Sequence, residues 1–258
     1  MNSRKKKRHR SILLLDALVR QFPDITRDDL YRYVMCGEVY QETQKLTDPR
    51  RRVDPDLKLS IVRERFVSRG GDKLLAALKE WKIQVSRRRW LDAGASTGGF
   101  TDCLLQNGAL LVHAVDVGYN QLDYRLRRDS RVRVLERTNI LQVDRLDPVP
   151  DAAVCDLSFR SLRGVLRHIL DLTSEGWGIA LLKPQFEVAA EVRWGNRDAN
   201  DAGEGIVPED RRDEVIDGVI EALERDEGVT VLRRMASPIP GRRGNREELL
   251  LVRYSPPC

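Results

Sequence analysis

The run Trp90-Leu91-Asp92-Ala93-Gly94-Ala95-Ser96-Thr97-Gly98-Gly99-Phe100 constrains this chain more than any other segment. A short apolar stretch ends in an acid, crosses a glycine-rich turn and enters a segment patterned as a helix. Glycines let backbone approach a ligand closely, and a helix N-terminus presents free amides there. A second apolar run, Leu110-Leu111-Val112-His113-Ala114-Val115, follows at the distance expected of one β-α-β unit and also ends in an acid, Asp116. An acid at the tip of the second strand of such a unit is placed to receive a ribose diol. The two features together predict a doubly wound sheet that holds an adenosine-containing cofactor.

The order of the glycines narrows the cofactor. A dinucleotide fingerprint reads Gly-x-Gly-x-x-Gly, with amides facing a pyrophosphate. Here the order is Asp92-x-Gly94-x-Ser96-x-Gly98-Gly99, and no Gly-Lys-Ser or Gly-Lys-Thr phosphate loop occurs. The pattern resembles the S-adenosylmethionine loop of Rossmann-like methyltransferases, whose ligand has no phosphate. A glycine-rich turn alone is a weak signal. Asp116 at the right distance is what favours the cofactor reading.

Apolar residues make up 41% of the 258 positions, enough for a sizeable core in one large domain or a domain plus a small module. No stretch approaches eighteen uninterrupted apolar residues, so no membrane span is expected. The cluster Arg4-Lys5-Lys6-Lys7-Arg8 precedes Ile12-Leu13-Leu14-Leu15, but Asp16 and Arg20 interrupt the apolar segment. It therefore reads as a basic arm entering a helix rather than as an export signal. Cys36, Cys103, Cys155 and Cys258 lack metal-type spacing and read as reduced thiols of a cytoplasmic protein. Charge is unevenly distributed, with a net +6 over residues 1–65 and a net −1 over the remainder. The excess positive charge of the first quarter suits phosphate neutralisation, although a solvated tail would look the same.

Three segments are expected: a basic tail over 1–10, a small module over 11–65 and an α/β domain over 66–258. In the module, Ile12, Leu15, Leu18 and Val19 give a helical stripe. Thr26 is placed to cap a second helix through Leu30, Tyr33 and Val34, closed by Gly37. Short strands follow at Glu38-Val39-Tyr40 and from Leu57 to Val62, with a turn at Asp54-Pro55. Two helices and a β-hairpin resemble the alpha-L RNA-binding motif, with Tyr40 to Lys45 standing where that motif has a Val-Asn-Gly turn. Arg27, Arg32 and Arg69, with Lys5, Lys6, Lys7 and Arg8, are the candidate phosphate contacts.

Beyond Val67, apolar runs end near Asp92, Asp116, Glu136, Asp156 and Lys183, with two more at Val229–Leu232 and Leu249–Val252. Helical stretches lie between them at Leu74–Trp81, Phe100–Asn107, Leu162–Leu172 and Arg211–Arg225. The alternation predicts an α/β fold with a seven-stranded, mostly parallel sheet whose ligands bind at the strands' carboxyl ends. The polar segment from Glu187 to Ile206 has no periodicity and reads as a mobile insertion or a lid.

Lys73, Asp156, Lys183 and Glu247 stand at element ends. Each alone is ordinary surface charge or half of an ion pair. Together they have a chemical logic. A ribose hydroxyl must lose its proton as it attacks a methyl group, and a lysine can accept that proton only if its pKa falls from about 10.4 toward neutrality. A second lysine nearby and partial burial both push that way, while carboxylates orient the amines. The four residues match the Lys-Asp-Lys-Glu order of ribose 2′-O-methyltransferases such as the FtsJ/RrmJ family. The surrounding text is similar to the TlyA, or haemolysin A, family: Phe66-Val67-Ser68-Arg69-Gly70-Gly71-x-Lys73-Leu74, Gly94 to Leu104, Val115-Asp116-Val117-Gly118-Tyr119, Glu136-Arg137-Thr138-Asn139, Lys183-Pro184-Gln185-Phe186-Glu187 and Gly244-Asn245-x-Glu247.

That resemblance implies a Rossmann-like class I methyltransferase using S-adenosyl-L-methionine, without a metal, on cytidine ribose of 16S or 23S ribosomal RNA. It implies ribosomal RNA or ribosomal subunits as partners and no membrane. Carried over, Asp92, Gly94, Ser96, Thr97, Gly98, Gly99 and Phe100 hold the methionine end, Asp116 the ribose and Asn139 the adenine side. Asp156 and Lys183 stand at the methyl group, with Lys183 as base. The alternatives are a non-catalytic RNA-binding assembly factor and a membrane-lytic haemolysin.

Overall fold

The computed structural model describes residues 11–62, 65–193, 206–241 and 244–254. Lys5, Lys6, Lys7, Arg8 and Cys258 lie outside the described residues, as does 194–205 of the expected insertion. The chain divides into two compact units, Met1–Glu64 and Arg65–Cys258.

The first unit contains β1 (Ile12–Leu13), α1 (Leu14–Gln21), α2 (Arg27–Met35), β2 (Val39–Gln41), β3 (Gln44–Lys45), β4 (Arg52–Val53) and β5 (Ser60–Ile61). Thr26 caps α2, its hydroxyl oxygen accepting from the Asp29 amide at 3.2 Å. Leu14, Ala17 and Leu18 face inward from α1 at helical spacing and meet Leu30 and Val34 of α2 in a separate small core. Ile12, expected in the first helix, instead pairs with Val53 in a β1–β4 ladder. Tyr40 to Lys45 is a hairpin: Tyr40 faces Lys45, Gln41 faces Gln44, and Glu42 takes a positive φ of 52° at the turn.

The second unit runs α3 (Gly70–Glu80), β6 (Arg89–Ala93), α4 (Gly99–Gln106), β7 (Leu111–Val115), α5 (Tyr124–Arg127), β8 (Val132–Leu135), a 3-10 turn (Ile140–Gln142), β9 (Ala152–Cys155), α6 (Leu166–Asp171), β10 (Trp177–Leu182), α7 (Pro184–Arg193), α8 (Glu209–Glu227), β11 (Val229–Ala236) and β12 (Glu248–Tyr254). Its seven strands are ordered β8-β7-β6-β9-β10-β12-β11. The first five are parallel, and β12 enters antiparallel to both of its neighbours. Strand order reverses between β6 and β9, which opens a crevice at their carboxyl ends.

Side chains alternate between two cores on the two faces of this sheet. Trp90, Leu181 and Leu249 pack on one face, and their neighbours Leu91, Leu182 and Leu250 on the other. Both faces are covered, which is why these strands read as continuous apolar runs.

Two expectations change here. The helix predicted over Leu162–Leu172 begins only at Leu166, because Gly164 takes a left-handed φ of +73 that an α-helix cannot carry. The start of the Glu187 to Ile206 segment, expected as irregular, instead belongs to α7 over Pro184–Arg193. Proline is favoured at a first helical position, where its missing N–H costs nothing.

Candidate active site

The glycine turn sits at the crevice. Gly94 has φ +87, and a Cβ there would lie 2.6 Å from the Asp156 carbonyl oxygen, so the turn passes directly over the end of β9. Gly98 has φ +97 and would drive a Cβ to 2.3 Å from Leu126 Cδ1. Ser96 and Thr97 are exposed at the turn's tip, while Gly99 and Phe100 are buried at the start of α4. Asp116 ties this turn to the end of β7, accepting from the Ser96 amide at 2.8 Å and from the Gly118 amide at 2.6 Å. Asn139 accepts from the Leu141 amide at 3.2 Å, and the Thr138 amide donates to the Asp116 carbonyl at 2.9 Å. The 136–139 segment therefore flanks Asp116.

Two carboxylates bracket the crevice with opposite character. Asp92 is fully buried at the end of β6, and burial pushes its carboxyl up to about 7 despite a 2.6 Å hydrogen bond donated by Thr101 Oγ1. Its Oδ1 has no hydrogen-bond partner. Glu136 also pays for burial, but the Arg127 guanidinium and the amides of Asn120, Gln121 and Leu122 hold it down to about 2. Glu136 thus fixes the loop after β7 as an anion, whereas Asp92 keeps its proton up to near neutrality unless a positive partner offsets desolvation.

The four tetrad candidates form two ion pairs. Lys73 Nζ lies 2.5 Å from Glu247 Oε2, with both side chains nearly buried. Lys183 Nζ lies 2.6 Å from Asp156 Oδ1, at an angle outside that of a directed hydrogen bond, and donates to Ser158 Oγ at 3.1 Å. Strand order explains the convergence. Asp156 follows β9, and its amide donates to the Ala93 carbonyl at the start of the glycine turn at 3.0 Å. Lys183 and Glu247 come one register step beyond Leu182↔Glu248, the last pair between β10 and β12. Lys73 reaches Glu247 from the first turn of α3.

The arginine candidates are differently placed. Arg69 is exposed beside α3. Arg27 pairs with Asp16 at 2.9 Å and Arg32 with Asp29 at 2.6 Å, so each already has a carboxylate neighbour. Thr101, Ser158, Phe159, Phe186 and Glu187 join this neighbourhood without having been assigned roles from sequence. Phe159 is 81% exposed at φ +61, its ring 5.0 Å from that of Phe186. Their signal was their spacing from Asp156 and Lys183, which becomes meaningful only once β9 and β10 lie side by side.

An orphaned carboxylate oxygen beneath a glycine-lined turn, with an acid at the neighbouring strand tip, fits a ligand carrying a positive charge and a ribose diol. The model of the FtsJ-like methyltransferase family matches residues 66–254. The chain belongs to the FtsJ-like methyltransferases. The family's methyl donor is S-adenosyl-L-methionine, and the donor set just described suits it. A Bacillus subtilis relative named, provisionally, as the rRNA methyltransferase YqxC is 41% identical over 89% of this chain and 81% of its own length. The Mycobacterium tuberculosis protein named 16S/23S rRNA (cytidine-2′-O)-methyltransferase TlyA is 38% identical over 92% of this chain and 87% of its own. Among solved structures, a Streptococcus thermophilus protein provisionally called a hemolysin superposes with TM-score 0.69 at 36% identity, covering 95% of this chain and 89% of its own. This FtsJ-like methyltransferase has, among its described residues, no helix long and apolar enough to cross a membrane.

Proposed function

We propose that this methyltransferase modifies the 2′-oxygen of cytidine ribose in ribosomal RNA of the small or large subunit. The observation that supports the reading is the formation of two lysine–carboxylate pairs, Lys73–Glu247 and Lys183–Asp156, with Asp156 and Lys183 at the carboxyl ends of the adjacent strands β9 and β10. The names of the TlyA relatives supply the substrate class. S-adenosyl-L-methionine, when bound, supplies a methyl group activated by its sulfonium. Asp92 and the turn from Gly94 to Phe100 hold the methionine end, Asp116 the ribose diol, and Asn139 flanks the adenine. Lys183 takes the proton of the attacking hydroxyl as the oxygen–methyl bond forms and the sulfur–methyl bond breaks. Asp156 stabilises the ammonium so produced, and Ser158 orients it. Lys73 and Glu247 balance charge next to the pair.

The 11–65 module is read as an alpha-L RNA-binding unit, and the basic tail adds phosphate contacts. Ribosomal RNA or a ribosomal subunit is the partner of that surface. Replacing Lys183 with Ala is expected to lower methyl transfer to rRNA by about 10²–10⁴-fold, the usual contribution of a positioned base. Cofactor affinity, measured by calorimetry, is expected to stay near the parent value. Unchanged turnover would remove Lys183 as the base. A parent protein that binds rRNA and cofactor but transfers no methyl would favour the assembly-factor reading.

A further inference from the structure

The Lys-Pro-Gln-Phe-Glu stretch contains an acid to which the reaction assigns no part. Glu187 lies in the first turn of α7, four residues after Lys183, and its side chain is 1% exposed. A carboxylate so deeply buried is costly to keep unless its oxygens are engaged. Oε1 accepts from the Leu162 amide at 2.9 Å, and Oε2 accepts from the Ser161 hydroxyl. Ser161 is itself buried, and its oxygen accepts from the Arg163 amide at 3.0 Å. Glu187 therefore binds the far end of the segment that starts at Asp156.

Besides the ring contact of Phe159 with Phe186, that segment is joined to the segment after β10 by ion pairs or hydrogen bonds at two points among the described residues. One is the Lys183 contact with Asp156 and Ser158, where the proton is moved. The other is Glu187 with Ser161 and Leu162, none of which is assigned a part in the proton transfer. Between the two points lies Phe159, exposed and in the left-handed region at φ +61, a conformation that persists only where its surroundings over-determine it. A second contact away from the proton transfer holds the segment whatever the charge at the first. We infer that Glu187 is a positioning residue: it fixes the 156–162 segment against the start of α7, and so sets the Lys183–Asp156–Ser158 geometry independently of the protonation of Lys183. The inference rests on the reading of Lys183 as the proton acceptor.

The test compares Glu187→Ala, Glu187→Gln, Ser161→Ala and Lys183→Ala in the full chain, with rRNA as methyl acceptor. A displacement of about 1 Å at reacting groups costs on the order of 10²-fold in rate, so Glu187→Ala is expected to lose about that in kcat. KM for RNA and Kd for S-adenosyl-L-methionine are expected to move by less than about threefold, because the proposed role gives Glu187 no contact with either ligand. Glu187→Gln keeps an acceptor for the Leu162 amide and is expected to recover most of the lost kcat. Ser161→Ala, which deletes one hydroxyl and covers the case of a Glu187→Ala protein that does not fold, is expected to lower kcat by about tenfold. Parent-like kcat in folded Glu187→Ala or in Ser161→Ala overturns the inference, as does a loss in kcat matched by an equal loss in cofactor affinity. An active Lys183→Ala protein instead overturns the underlying reading, whatever the Glu187 variants do.

Discussion

Asp92 departs furthest from the behaviour of an ordinary carboxylate. Its folded-state pKa is raised to about 7 from 3.8, with burial as the leading cause. A raised acid binds a proton in the native state that the unfolded chain has already released. The stability it contributes is therefore present below about pH 4 and is lost as pH rises through about 7. Asp92→Asn removes that dependence while keeping an acceptor for Thr101. In the absence of cofactor, its Tm relative to the parent is expected to climb from pH 4 to pH 7 and level off above. Cofactor affinity is expected to fall, because the orphaned oxygen would no longer carry charge. A Tm difference independent of pH would show that Asp92 does not titrate in this window. Glu136, held down to about 2, shows the opposite linkage, its contribution being present above the ordinary glutamate range and lost only as pH falls toward 2.

At the scale of elements, the turn between β6 and α4 is over-specified. Gly98 has both a left-handed φ and a leucine methyl occupying the space of a Cβ. Gly98→Ala meets both penalties and is expected to destabilise the protein by about 1–3 kcal/mol in denaturant unfolding, with weakened cofactor binding. Stability within about 0.5 kcal/mol of the parent would mean that α5, which carries Leu126, moves away freely. The turn was legible from residue order because glycine is the residue such backbone requires. Helix α7 was not: its first turn mixes Pro184 and Phe186 with Gln185 and Glu187, and its acid faces inward to the Ser161 hydroxyl and the Leu162 amide, so no amphipathic period marks it. The Glu42 hairpin escaped for a related reason, since a non-glycine residue occupies the positive-φ position. Short strands such as β1 and β4 carry too few residues for alternation to register.

For the whole molecule, charge and core divide at the same place. The unit of residues 1–64 has its own hydrophobic cluster, and the unit of residues 65–258 has two. Net charge is +5 over residues 1–64 and zero beyond. Deleting residues 1–65 is expected to weaken binding of rRNA or subunits and flatten its salt dependence, since fewer phosphates are neutralised. Cofactor affinity is expected to persist, because Asp92, the glycine turn and Asp116 all belong to the second unit. Equal RNA affinity with and without the module would assign recognition to the methyltransferase unit alone.

From sequence alone came the α/β alternation, the strand ends marked by Asp92, Asp116, Glu136, Asp156 and Lys183, and the glycine turn. These are local: a period of apolar residues, an acid at its end, a backbone that only glycine relaxes into. The partners in each ion pair were decided by the tertiary structure. Lys73 and Glu247 are 174 positions apart and meet only because β12 inserts antiparallel between β10 and β11. Lys183 meets Asp156 because β9 and β10 are neighbours in the sheet. The burial that raises Asp92 likewise depends on layers packed from distant parts of the chain. Local pattern is written in neighbouring residues, whereas desolvation and charge pairing depend on which strands become neighbours, and that is fixed only when the sheet closes over its two cores.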